Sequence, residues 1–198
     1  STLMKVLYGM YVPEEGSIAV KGETYPSLTP KQAIGLGIGM VHQEFMLVRE
    51  MTVLENIILG FEPRRGGRID RRAALEKIEY YADTYGLRVH PDKKVEEISV
   101  GEAQRVEIIK TLYRGAEILV LDEPTAVLTP QEAEQLFCIL RSMKEGGKSI
   151  VFISHKLQEV LASSDRITVM RGGKHIATVE GSSTSAPELA RLMVGREV

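Results

Sequence analysis

A single cysteine, Cys138, among 198 residues excludes an internal disulfide and fits a reducing compartment. Its position on the apolar side of an expected helix predicts a small core residue. An excess of one charge is lacking too. Lys and Arg total 25 against 27 Asp and Glu, a net charge of -2, which gives no electrostatic case for nucleic acid or an anionic membrane surface. No apolar run reaches the ~18 residues of a spanning helix, and no signal peptide is expected. The expectation is a soluble chain able to dock onto a membrane protein. Internal repeats and low-complexity tracts are absent. At 43% hydrophobic and 26% charged, the chain can bury a proper core in one large or two small domains.

The most informative stretch runs from Ile98 to Pro130. Ser99 and Glu102 have the S-x-x-E spacing of a capping box, which predicts a helix from Val100 with Val106, Ile109, Leu112 and Tyr113 on one apolar face. Ile118-Leu119-Val120-Leu121 is a short continuous apolar run, suited to a parallel strand covered on both faces. It ends in Asp122-Glu123-Pro124, and open α/β sheets hold ligands at that edge. Alone, such acids read equally well as solvated strand ends. Here a capped Ser-x-Gly helix start precedes them, and a second box, Thr129-Pro130-Gln131-Glu132, opens a helix with Ala133, Leu136, Phe137 and Leu140. That context favours a site.

Upstream, Leu3, Val6, Leu7 and Met10 form a helical stripe behind Ser1-Thr2. Ser-Thr at a helix start is a simple cap; it is also the last position of G-x-x-x-x-G-K-[ST], whose hydroxyl binds Mg²⁺. Turns are expected at Glu14-Glu15-Gly16 and Gly22-Glu23 around a strand from Ser17 to Lys21, then a short helix from Thr29-Pro30 to Gly35. Ile38–Val41 predicts a strand leading to His42-Gln43-Glu44. Thr52 and Glu55 form a further box ahead of Val53, Leu54, Ile57 and Ile58. Phe61 to Arg68 is a charged, Gly-rich loop: a solvated turn in the plain reading, a phosphate or lipid contact in the other. Asp70 caps a helix carrying Leu75, Ile78, Tyr81, Ala82 and Tyr85 that stops at Gly86; its tyrosines have core spacing and do not suggest nucleic-acid stacking. Ser149–Ile153 is the next buried strand, ending in Ser154-His155. A short helix with Leu157, Val160 and Leu161, a hairpin of Ile167–Met170 and Ile176–Val179, and a helix with Leu189, Leu192 and Met193 complete the chain before Gly195-Arg196-Glu197-Val198.

At Ile98-Ser99-Val100-Gly101-Glu102, Asp122 and Glu123 the chain resembles ATP-binding cassette (ABC) ATPases, where an LSGGQ signature opens a helix and a Walker B Asp is followed by Glu. The resemblance implies an α/β P-loop NTPase (RecA-like) core with a parallel sheet and an inserted helical subdomain, the N-terminal strand and most of the P-loop being missing from this chain. It divides the chain into 1–43 (end of Walker A to Q-loop), 44–112 (helical subdomain ending in the signature helix) and 113–198 (Walker B, D-loop, H-loop, C-terminal hairpin and helix). Implied cofactors are ATP and Mg²⁺. Ser1, Asp122 and Gln43 would hold the metal, Ser1 and Thr2 would adjoin the nucleotide, and Glu123 would act as general base. Gln43 and His155 would contact the γ-phosphate or attacking water. Ser99, Val100, Gly101 and Glu102 would face the nucleotide of a second cassette.

Three positions depart from the family pattern. Val100 stands where Gly is usual, Glu102 where Gln is usual, and the D-loop Ala126-Val127-Leu128-Thr129 lacks its Asp. With GIGMVHQEFMLV and LMVGREV, these features resemble the first cassette of bacterial simple-sugar and nucleoside importer ATPases. That resemblance implies transmembrane permease partners, contacted by residues 44–60. It also implies a second cassette, in tandem or as a separate subunit, and, indirectly, a periplasmic or lipoprotein substrate-binding protein. No nucleic acid is implied, and the location would be peripheral, at the cytoplasmic face of the membrane. The rivals are a soluble mechanoenzyme on ribosomes or DNA, which neutral charge and the missing basic arm oppose, and an inactive cassette. Without the phosphate loop and its Lys, the fragment itself is expected to be inert.

Overall fold

The computed structural model describes residues 1–195, so the closing Arg196-Glu197-Val198 lies outside the described residues. The chain divides into two compact units, Ser1–Ile153 and Ser154–Val198. The first opens with α1 (Thr2–Leu7), a hairpin of β1 (Ile18–Val20) and β2 (Glu23–Tyr25), α2 (Pro30–Gly35) and β3 (Ile38–Val41). There follow α3 (Val53–Ile58), a hairpin of β4 (Arg64–Arg65) and β5 (Arg68–Ile69), and α4 (Arg71–Tyr85). Then come α5 (Val100–Tyr113), β6 (Ile118–Asp122), α6 (Pro130–Glu145) and β7 (Ser149–Ile153).

Three of these strands make a parallel sheet in the order β3-β6-β7. The expected apolar run is its middle strand, buried on both faces because side chains alternate with period two. Leu119 and Leu121 join Ile108, Ile109 and Leu112 of α5 in one core cluster. Val120 joins Ile38 and Met40 of β3 in another, against which Met4, Leu7 and Tyr8 pack from the N-terminal helix. Gly39 lies in register with Leu119. A Cβ there would stand 2.8 Å from Cβ of Ala116 and 2.9 Å from Cβ of Thr111, so the close approach of β3 to the end of α5 needs glycine.

The capping boxes behave as their chemistry requires. Thr52 and Glu55, and Thr129 and Glu132, bond reciprocally, and Thr29 with Gln32 adds a third such box. α5 starts at Val100, but its box is only half formed. Ser99 accepts from the Glu102 N–H, while the Glu102 carboxylate turns away to accept from the main chain and ring of His90. Nor does α5 have a single apolar face, since Gly101–Gln104 and Val106–Tyr113 are all buried.

Other expectations are corrected. Cys138 is exposed, because Ala133, Leu136, Leu140 and Met143 form the buried stripe of α6 and Cys138 lies on the far side of the helix from Leu136. Leu3 and Met10 are exposed as well. Glu23 begins a strand where a turn was expected, and the charged Phe61–Arg68 loop contains the small β4–β5 hairpin. Within the first unit α3, α4 and α5 share one apolar cluster with Val41, Leu119 and Leu121.

The second unit holds α7 (Leu157–Ser163), a hairpin of β8 (Arg166–Arg171) and β9 (Lys174–Glu180), and α8 (Ala186–Val194). Its own small core centres on Ile167, Val169 and Leu189. Among the described residues no helix is long and apolar enough to cross a membrane.

Candidate functional site

Strand alternation sets the site. Asp122 shares its face of β6 with Ile118 and Val120, the face on which the N-terminal helix packs. Ser1 precedes that helix but does not cap it through its side chain. Its hydroxyl instead donates to Asp122 Oδ1 at 2.7 Å. A serine expected to be either a cap or a metal-binding hydroxyl is therefore found bonded to a carboxylate that is only 3% exposed. Thr2, exposed, follows in the first turn of α1.

Glu123 leaves the strand through a φ of +48°, a conformation that a non-glycine residue adopts at a cost of about 1–3 kcal/mol and that clusters at functional sites. Its N–H still donates to the Ile153 carbonyl at 3.0 Å, which fixes where the turn begins. Across the sheet Val41 is in register with Leu121, so Gln43 comes level with Glu123. Gln43 Nε2 donates to Glu123 Oε2 at a long 3.4 Å. A hydroxyl, two carboxylates and an amide thus converge at the C-terminal ends of parallel strands, where open α/β sheets hold their ligands.

Behind these groups His42 meets the Tyr8 ring edge-on, with centroids 6.1 Å apart. Burial holds the His42 imidazole below its ordinary range. Glu107 and Asp122 act against that shift, and Lys110 and Lys5 reinforce it. With the folded value depressed, the unfolded chain binds the proton more readily, so stability falls as pH drops through the ordinary histidine value of about 6.5. The thermal midpoint is expected to decline between about pH 7 and pH 5, and a His42→Gln variant to show a flatter profile over that span. Parallel profiles for the two proteins would show that His42 does not contribute.

The signature segment makes its polar contacts with His90 and with α6. Ser99 and Val100 are exposed, while Gly101 and Glu102 are buried. A Cβ on Gly101 would lie 2.5 Å from Glu132 Oε1, so the first turn of α6 sits directly against the start of α5. The N–H and hydroxyl of Thr129 hold the Glu132 carboxyl below its ordinary range, and the Gly101 N–H contributes.

The family described as ABC transporter matches residues 1–126. This chain belongs to the ABC transporter family. The guanosine import ATP-binding protein NupO of Bacillus subtilis (strain 168) is 56% identical over 198 residues, covering 100% of this chain and 39% of that protein. The ribose import ATP-binding protein RbsA 1 of Streptomyces avermitilis is 46% identical, covering 100% and 38%. The chain therefore spans 39% and 38% of the length of these relatives. Among solved structures, the ADP conformation of MJ1267, an ATP-binding cassette of an ABC transporter, superposes with a TM-score of 0.81 at 27% identity. That match covers 98% of this chain and 83% of the other. A nucleotide-free ATP-binding cassette gives a TM-score of 0.77, also at 27% identity, covering 91% and 75%.

Within this ABC cassette the geometry brings together Ser1, Gln43, Asp122 and Glu123. His155, exposed, follows β7 and belongs to the second unit. Sequence reasoning missed Glu107 and Lys110, buried charges on α5, and the contact of Glu132 with Gly101. The first pair carries one legible signal, an acid and a base at i,i+3 on a helix. The second carries none, since it joins two helices.

Proposed function

We propose that this chain is the ATP-binding and ATP-hydrolysing part of an importer for a nucleoside or simple sugar, acting beside transmembrane permease subunits and a second cassette. The bond from Ser1 to Asp122, with Glu123 and Gln43 beside it, is the observation that carries the nucleotide reading. The import reading is supported by relatives named for guanosine import and for ribose import.

The donors fit a hard cation, since the Ser1 hydroxyl, the Asp122 carboxylate and the Gln43 amide all offer oxygen. Among the described residues no group of three His, Cys, Asp or Glu is arranged around a metal. A cation here would keep several waters and draw on the phosphates, the habit of Mg²⁺. Ser1, Asp122 and Gln43 would hold Mg²⁺, whose charge would offset the negative charge that builds up during transfer.

The residues divide the remaining work. Ser1 and Thr2 adjoin the phosphates at the start of α1. Glu123 accepts a proton from the attacking water, whose oxygen bonds to the γ-phosphorus as the bond to the β–γ bridging oxygen breaks, giving ADP and phosphate. Gln43 orients that water. The start of α5, at Ser99, Val100, Gly101 and Glu102, offers an anion site to the nucleotide of the second cassette through the Ser99 hydroxyl and the positive end of the helix. The Glu102 N–H is already bonded to Ser99 Oγ and the Gly101 N–H to the Glu132 carboxyl. The Glu102 carboxylate, turned toward His90, spares that site a negative charge. Residues 44–60 receive the permease, which places the protein peripherally at the cytoplasmic face of the membrane, with a substrate-binding protein engaged only through the permease.

The direct test is hydrolysis by the full-length protein assembled with its permease. Turnover is expected with Mg²⁺, to stop when the metal is chelated, and to be lost in Asp122→Ala. Undiminished turnover in that variant would remove Asp122 from the reaction.

A further inference from the structure

Besides Glu102, helix α5 carries a pair of buried charges where a core would ordinarily be apolar. Glu107 is 1% exposed and Lys110 8%. Lys110 Nζ donates to Glu107 Oε1 at 3.0 Å and to the main-chain carbonyl of Met46 at 2.8 Å. Burial pushes the Lys110 pKa down, against the pull of Glu107. A buried ion pair is often no more stabilising than apolar side chains of similar volume, so core stability does not explain this one.

Its third partner does. Met46 lies in the loop that carries Gln43, and the Met46 side chain is exposed, so that side chain does not tether the loop. Leu47, partly buried, packs against the core, and the main chain is held at the Met46 carbonyl by Lys110. At Val48, Asn56 Oδ1 accepts from the N–H and Asn56 Nδ2 donates to the carbonyl. Gln43 itself is exposed, with its amide at long range from Glu123. These anchors lie three and five residues beyond it in the chain.

We propose that Lys110 is a positioning residue for the hydrolytic reaction: it pins the Met46 carbonyl to α5, so that Gln43 is presented to Glu123 and moves with the helix that begins at Ser99. Glu107 serves as the counter-charge that keeps the Lys110 ammonium in place within the core. The inference rests on the ATPase reading above.

The test uses the full-length protein. Lys110→Met alone would strand Glu107 in the core and could simply unfold the chain. The informative variant is therefore the double substitution Glu107→Gln/Lys110→Met, which leaves no orphan charge but removes the Met46 anchor. Lys110→Arg is its conservative counterpart, and thermal melting checks that each is folded. The double variant is expected to melt near the wild type and to lose on the order of tenfold to a hundredfold in kcat, with little change in KM for ATP, because a small misplacement of a reacting group has effects of that size. Lys110→Arg should recover most of the rate. In a Gln43→Ala background the double substitution should cost little more, since two changes acting through one group are not additive.

A folded double variant with wild-type kcat would overturn the proposal. So would losses that multiply with Gln43→Ala, or a folded Lys110→Arg as slow as the double variant. Absence of Mg²⁺-dependent turnover in the wild type would instead sink the ATPase reading, and this inference with it.

Discussion

Glu123→Gln is expected to slow steady-state ATP hydrolysis by about 10²–10⁴-fold, the usual contribution of a positioned general base, while ATP binding survives. The substitution keeps the shape of the side chain and removes only its capacity to take a proton. The turn that presents it is set by the main chain, through the φ of +48° and the N–H bond to Ile153, and the change does not touch these. The Gln43 amide would then face another amide in place of a carboxylate, which still accepts its hydrogen bond. Bound ATP that is not consumed should also hold two cassettes together, so a nucleotide-dependent dimer is expected by size-exclusion chromatography. Single-turnover hydrolysis separates the chemical step from product release. A variant that hydrolyses ATP at close to the wild-type rate would take the base role away from Glu123.

Leu119→Ala is the largest expected effect on stability, a loss of about 2–5 kcal/mol, the range for emptying a buried leucine site. The upper half of that range applies here because the void has poor means of closing. Leu119 is 0% exposed, in the middle strand of the sheet and beneath α5. Its register partner on one side is Gly39, which has no side chain to move inward; on the other side it is Ile150. Urea unfolding should show a lower midpoint with an unchanged slope. Val127→Ala, at an exposed position, serves as the control and should change stability by no more than about 0.5 kcal/mol. Equal midpoints for the two variants would mean that the β6 layer is not the core of the first unit.

The difference between these sites shows what a sequence can disclose. β3 and β6 were legible because a strand buried on both faces needs a continuous apolar run, and the helix starts because a cap needs particular residues at a fixed spacing. β7 was legible as a strand but is not the buried one expected, since Ser149 and Val151 are exposed on one face. Asp122, Glu123 and Gln43 were legible as strand-end polar groups. That the Ser1 hydroxyl would choose Asp122 over its own helix was not, since a cap and a metal-binding hydroxyl have the same local sequence. Glu102 misled for the same reason: the spacing of a capping box is local, whereas the claim of His90 on its carboxylate is tertiary. Cys138 was misplaced because it adjoins apolar neighbours in the chain but sits on the wet side of α6. Lys110 was invisible as an anchor, since its partner is a carbonyl, which every residue possesses.

The contact between Gly101 and Glu132 limits which relatives of this sequence can exist. Glu132 Oε2 already accepts from the N–H and hydroxyl of Thr129, both at 2.9 Å, so its carboxylate is not free to swing aside. Any side chain at position 101 would have to displace it and break that box. The two positions are therefore coupled: a methyl group at 101 requires either that the Glu132 carboxylate shift out of its box or that the residue at 132 be shorter. Drift at either site is gated by the other, although they lie on different helices.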